Sequence, residues 1–254
     1  MAEVDGCPGG WIAAFFRPTG DDYVVAVYPN FAHMLVAPQM PDIVAVDIPI
    51  GLPERAGHAG RAAENAVRPL LGQRQSSVFS VPSRTAIYAS DYGAACHAAL
   101  ATSEPPRKVS RQLFNIAPKI REVDAILCAN PEFTTRVFEV HPELAFWRLN
   151  GERPLTEAKK IKSRPYEPGL ILRRKQLALA GLPLALTLAP PKGAAADDLI
   201  DALACAVIAR RIHAGQAQRF PDPPPPRIAN GDLGMIVWPS ILSQQRVPCH
   251  FHSN

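Results

Sequence analysis

A chain of 254 residues that is 47% hydrophobic can bury a substantial core, with room for one large domain or two small ones. Its formal charge of +4 tolerates an anionic substrate without demanding nucleic acid. Five widely spaced cysteines with no Cys-x-x-Cys pair argue against a disulfide scaffold and a structural zinc site, and no apolar run reaches membrane-spanning length. The first residues carry no signal-peptide pattern, so the expectation is a soluble protein of the reducing cytoplasm with no membrane partner.

The first fifty residues are strand-rich. Val4 and the runs 11–16 and 23–28 are short β-branched or aromatic stretches separated by turn residues, and their close spacing favours three antiparallel strands. Residues 30–36 read as a short helix capped by Asn30. The run 42–50 is almost continuously apolar, as in a strand buried on both faces, and Asp47 interrupts it near its end. From 51 to about 131 the pattern turns helical and loop-rich, with a basic section (Arg55, Arg61, Arg68, Arg74, Arg84) and a helix over 112–128. A strand over 136–141 is stopped by Pro142, and a helix over 170–180 ends at Gly181. The clearest helix covers 197–212. This divides the chain into a domain over 1–220, with an insertion at about 51–131, and a tail over 221–254. In the tail, Pro223 to Pro226 reads as a stiff extended linker and 234–238 as an edge strand.

Four sets of carboxylates sit where chemistry would want them. Asp5 and Asp47 each fall near the C-terminal end of a predicted strand, where ligands collect in sheets with parallel pairing. Glu139 lies within a third strand. Asp198 and Asp201 are three apart on a helix and share a face, which Cys205, Ile208 and Ile212 continue. That helix is apolar nearly all round, so its acids are buried and need compensation. Each acid also has a structural reading. Asp197 is best explained as a helix cap, and Asp198 reads equally as a cap or as a ligand. Asp5 and Asp47 could organise turns, whereas Asp201 lies too deep for a first-turn acid. Taken together, carboxylates from separate strands and one buried helix suit a hard divalent cation, Mg2+ or Mn2+. His141, before a proline, reads as a hydrogen-bonded structural residue, and Trp11 as core. The Gly6–Gly10 turn lacks the features of a phosphate-binding or dinucleotide loop.

The segments 4–11 (Val-Asp-Gly-Cys-Pro-Gly-Gly-Trp), 47–53 (Asp-Ile-Pro-Ile-Gly-Leu-Pro), 76–84 (Ser-Ser-Val-Phe-Ser-Val-Pro-Ser-Arg), 139–143 (Glu-Val-His-Pro-Glu) and 197–203 (Asp-Asp-Leu-Ile-Asp-Ala-Leu) resemble, in order, domain of unknown function 429, a family of predicted RNase H-like nucleases. The first and last also resemble acidic motifs of RuvC-type resolvases. The resemblance implies an α/β fold, an RNase H-like mixed five-stranded sheet with three antiparallel strands and two parallel ones, flanked by helices. It also implies Asp5, Asp47 and Asp198 or Asp201 as metal-binding acids, with Glu139 as a further motif acid. The family pattern Arg-x-x-Asp stands here as Arg61-Ala62-Ala63-Glu64, which keeps the charge and lengthens the side chain.

Within the basic section, Arg61, Arg68 and Arg84 are candidates for phosphate contact, against the ordinary reading of solvated or ion-paired arginines. Ser76 and Ser77 would hydrogen-bond a phosphate or cap a turn. Three functions stay open: a Mg2+- or Mn2+-dependent phosphodiester hydrolase acting on nucleic acid, a non-catalytic nucleic-acid- or partner-binding module, and a small-molecule phosphotransferase or phosphohydrolase. A homodimer is also an open option.

Overall fold

The computed structural model describes residues 1–17, 23–39, 41–222 and 236–238. The three runs read as antiparallel strands are β1 (Ala2–Cys7), β2 (Gly10–Phe16) and β3 (Tyr23–Tyr28), paired in that order. The β1–β2 turn depends on Gly10, which has φ +125° and whose missing Cβ would lie 2.2 Å from the Tyr28 carbonyl oxygen. Helix α1 (Phe31–Leu35) starts where the Asn30 side chain accepts from the His33 N–H at 2.9 Å. Strand β4 (Val44–Val46) is shorter than the apolar run 42–50 predicts. Pro49 has no N–H to give a ladder, and the Ile50 N–H donates to Glu139 Oε2 at 2.8 Å, so the chain leaves the sheet after Asp47.

Between β4 and β5 lie α2 (Ala62–Val67), a 3-10 stretch (Arg68–Ser77), α3 (Arg84–Ile87), α4 (Tyr92–Ala101) and α5 (Arg111–Ala129). Strand β5 (Val137–Glu139) is likewise shorter than 136–141, and Pro142 opens α6 (Pro142–Leu149) instead of simply ending the strand. A proline is well placed at a first helical position, where its missing N–H has no intrahelical partner to lose. A two-rung hairpin, β6 (Lys160–Ile161) and β7 (Arg164–Pro165), precedes α7 (Glu167–Leu179) and α8 (Ala196–His213). The last strands are β8 (Gln218–Phe220) and β9 (Ile236–Trp238).

The order β3-β2-β1-β4-β5 forms a mixed five-stranded sheet, β1, β4 and β5 running parallel, with helices on both faces. Two short strands extend it: β9 lies parallel to β5, and β8 pairs antiparallel outside β9. The described part of 234–238 is therefore an inner strand, and the edge falls to β8. Pro223 to Pro226 lie outside the described residues. No helix among the described residues is long and apolar enough to cross a membrane.

Side-chain alternation splits the core in two. Ile12, Ala14, Phe16 and Ala45 face α8, α6 and α7, whereas Val4, Trp11, Ala13, Phe15, Val44 and Val46 face α1, α4 and α5. Trp11 is core, as expected, and Glu122 on α5 accepts from its indole N–H at 3.0 Å. Helix α8 is buried along most of its length, as its all-round apolar sequence requires.

The segment before the hairpin is docked on α7 by backbone. A Cβ on Gly169 would fall 1.8 Å from the Ala158 carbonyl oxygen, so only glycine admits this approach. The Tyr166 N–H donates to the Lys159 carbonyl at 2.9 Å, and Arg173, fully buried, donates to the Glu157 carbonyl at 2.9 Å. Gly169→Ala should therefore destabilise the fold by about 1–3 kcal/mol, as overpacking against a fixed backbone does. A urea midpoint equal to that of wild type would show that the segment is free to move aside.

Candidate metal centre

Asp5 and Asp47 meet because of strand register. In the parallel β1–β4 pair, Glu3 sits opposite Ala45 and Val4 opposite Val46, and the Asp47 N–H continues the ladder to the Val4 carbonyl at 3.0 Å. The next positions along are Asp5 and Asp47, on the face that carries α8, with neighbouring strands only about 4.8 Å apart. Helix α8 crosses that face and presents Asp201. One ligand oxygen from each of Asp5, Asp47 and Asp201 lies within 4.8 Å of the others. Asp5 and Asp201 are buried and Asp47 is half-buried.

Three carboxylates this close cannot all ionise comfortably without a cation. Burial, and then the Asp47 charge, push Asp5 well above the usual carboxylate range, and Lys159 pulls it back. Burial raises Asp47 too, against the charges of His141 and Lys159. Glu3 lies fully buried on the same strand face, beside Cys205 of α8. Burial and the Asp5 charge push its pKa well above the ordinary value, and hydrogen bonds from the Cys205 side chain and the Ala206 backbone oppose them. Asp201 is 2% exposed; Lys159 holds its Oδ2, while its Oδ1 is buried with no partner. A buried, unpartnered oxygen on one of three carboxylates that converge within 4.8 Å fits a divalent cation.

The helix start changes the roles of two acids. Asp197, expected to cap, instead pairs with Lys160, and the backward bond at the helix entrance belongs to Asp198, which accepts from the Ala195 N–H at 2.9 Å. Helix α8 begins at Ala196, one residue before the predicted start, which shifts Asp198 into the third helical position, where such a bond forms. Asp198 therefore stands apart from the three acids whose oxygens converge, although it is near enough for its charge to act on Asp5.

Glu139 is on the other face of the sheet. Register pairs it with Val46, one residue short of Asp47, so alternation turns it away from the cluster. Its carboxylate takes a two-pronged bond from Arg61, Nη2 to Oε1 at 2.6 Å and Nη1 to Oε2 at 3.0 Å. Glu64 takes the remaining guanidinium edge, from Nε at 2.8 Å and Nη2 at 2.6 Å. Burial lowers the affinity of Arg61 for its proton, but Glu139 and Glu64 outweigh it and hold the guanidinium firmly charged. Arg61 Nη1 also donates to the Ile50 carbonyl, and so ties the turn after Asp47 to β5. A single Glu64 oxygen, Oε1, thus accepts from both Nε and Nη2.

A cavity of about 770 Å³ opens at the C-terminal ends of β1, β4 and β5, with Asp5 and Asp47 in its wall. Ser76, Ser77, Arg74 and Lys119 line it, with Lys159 and Lys160 on the hairpin side. Ser77 Oγ donates to the Arg74 carbonyl at 2.7 Å. His141 also lines it, with Nε2 at 3.3 Å from the Ser77 carbonyl and Nδ1 buried without a partner. Arg68 braces the Val78 carbonyl and Ser80 Oγ at 3.3 and 3.2 Å. Arg84 pairs with Asp124 and lines a separate depression with Glu54, Arg55, Thr85 and Tyr88. The lysines escaped the sequence reading because Lys159 and Lys160 stand about forty residues from the acids they meet, in a segment with no periodicity to place it.

Two stability measurements follow from this charge arrangement. A carboxyl whose folded pKa is raised weakens the fold once it must ionise. That penalty is absent below the unfolded value of about 4, grows as pH rises toward the folded value, and is complete above it. Asp5→Asn should therefore raise the stability of the metal-free protein at pH 7.5 by about 1–2 kcal/mol, and the gain should shrink toward pH 4.5. Melting curves in chelator would show no such pH dependence if Asp5 were relieved of its neighbours' charge. Arg61→Ala strands two buried carboxylates without their cation, and a loss of about 3–5 kcal/mol is expected in urea unfolding.

Among known proteins, the model of the family described as "Protein of unknown function (DUF429)" matches residues 4–226. No curated protein and no solved structure matches the chain. The matched span contains all three converging acids, the Arg61–Glu139 lock and all three cavity lysines, and the chain is a member of the DUF429 family.

Proposed function

We propose that the protein is a metal-dependent phosphodiester hydrolase acting on nucleic acid. The observation that carries this reading is the convergence of Asp5, Asp47 and Asp201 oxygens within 4.8 Å of one another beside a large cavity. Asp5, Asp47 and Asp201 would hold Mg2+ or Mn2+, which when bound supplies Lewis-acid polarisation and an acidified water. The chain's own residues do the rest. The rigid β1–β4 register fixes two of the acids, and the Arg61 lock on Glu139 and Ile50 keeps the turn after Asp47 from swinging away. Arg74 and Lys119 give the cavity a cationic lining suited to phosphates, while Ser76 offers a hydroxyl. His141 places an unpartnered ring nitrogen close enough to Asp47 for its charge to be felt there. The RNase H-like arrangement implied by the sequence motifs accords with the strand order and with acids drawn from β1, β4 and the last long helix.

The test is cleavage of single-stranded, duplex and branched DNA and RNA with added Mg2+ or Mn2+. Wild type should cut at least one of these, and Asp5→Asn and Asp201→Asn should each lose at least about 100-fold, the scale expected when preorganised charge is removed from a reacting centre. Equal cutting by the variants would reject the assignment of the site. Binding without turnover, indifferent to chelator, would favour a non-catalytic module.

A further inference from the structure

Lys159 enters the acid cluster from a segment that is itself fixed. Its Nζ bonds Oδ2 of buried Asp201, and its charge also acts on Asp5, Asp47 and Asp198. Its backbone carbonyl accepts from the Tyr166 N–H, and the residue before it is pressed against Gly169 with no room for a side chain there. A long lysine on a mobile loop would be an opportunistic partner. This one is delivered by a docked strap, and the next residue, Lys160, pins the same strap to Asp197.

Charge decides what such a lysine can do. Asp5, Asp47 and Asp201 together carry three negative charges when ionised. One ammonium among them leaves two, which a single divalent ion neutralises. Asp197 is already matched by Lys160, and Asp198 is engaged by the Ala195 N–H at the helix entrance. Asp201 gives Oδ2 to the lysine, and its Oδ1 is buried without a partner. While the ammonium holds Oδ2, that oxygen is closed to a second ion.

We infer that Lys159 is a built-in second cation of this site, so that the protein binds one divalent ion where three acids alone would take two. This rests on the metal-dependent reading above and sharpens it. On that reading the ammonium held at Asp201 would meet a phosphate oxygen of the substrate in place of a second ion.

The test is calorimetric titration of the full chain with MnCl2 alone at pH 7.5. Wild type and Lys159→Arg should each take one Mn2+. Lys159→Met should take a second ion or bind the first at least about ten-fold more tightly, a change of about 1.4 kcal/mol. Lys175→Met, which removes an exposed lysine of α7 instead, should bind Mn2+ as wild type does. Lys159→Gln serves the same purpose should the methionine variant fail to fold, as checked by circular dichroism. Two ions bound by wild type, or unchanged binding in both Lys159→Met and Lys159→Gln, overturns the inference while leaving a metal-dependent enzyme intact. No Mn2+ bound by any variant removes the metal reading and this inference together. One ion bound without cleavage of any nucleic acid rejects only the hydrolase assignment.

Discussion

The parallel, in-register pairing of β1 with β4 is the constraint on which the rest of this molecule depends. It sets Asp5 and Asp47 side by side on one face of a buried sheet, a placement that no local preference of either residue would choose. Two strands one register step out of phase would turn one of these acids to the opposite face. Once the pair is fixed, the surrounding sequence is organised to tolerate it. Helix α8 closes over it with Asp201, cations from the hairpin side reach in, and the turn after Asp47 is anchored from behind. The fold carries this like-charge repulsion because hydrophobic burial elsewhere, above all along α8, is extensive.

The acids divide by sheet face. Those on the α8 face converge and remain short of partners, with one Asp201 oxygen buried and unbonded. Glu139, one strand further and on the other face, is saturated by Arg61 and the Ile50 N–H. A buried ion pair is weak evidence for stability, since desolvating both charges offsets most of their attraction. Its value here is geometric. Arg61 has five donors in a rigid fork, and it spends them on two carboxylates and on the carbonyls of Ile50 and Gly51. Those carbonyls belong to the turn that begins at Asp47. The saturated cluster thus immobilises the unsaturated one.

The sequence was legible wherever a period or a cap controls the outcome. The antiparallel strands β1 to β3, the Asn30 cap of α1 and the apolar helix α8 lie close to where alternation and capping chemistry put them. The acids of the cluster were legible because charges in apolar runs are conspicuous. The strand ends were not. Asp42 to Ile50 reads as continuous, yet the strand stops once Ile50 gives its N–H to a side chain ninety residues away instead of to a neighbouring strand. Helix α6 was hidden by Pro142, which breaks a strand and opens a helix equally well. Lys159 was hidden most deeply, because its position comes from Gly169 and the Ala158 carbonyl, a contact between backbones that leaves no trace in hydropathy.

That last contact links stability to chemistry. Helix α7 supplies no residue to the acid cluster, yet the missing side chain of Gly169 lets the strap lie close, and the strap carries Lys159 to Asp201. Arg173, buried on the same helix, holds the strap again through the Glu157 carbonyl and reaches Glu143 at the cavity wall. The cavity presents cations mounted on three separate supports: Arg74 on the 3-10 stretch, Lys119 on α5, and the strap on α7. Its acids come from the sheet and from α8. Only the sheet register at the bottom and the docked strap at the side bring the two together, so the α7 packing that positions the strap is as much a part of the site as the acids themselves.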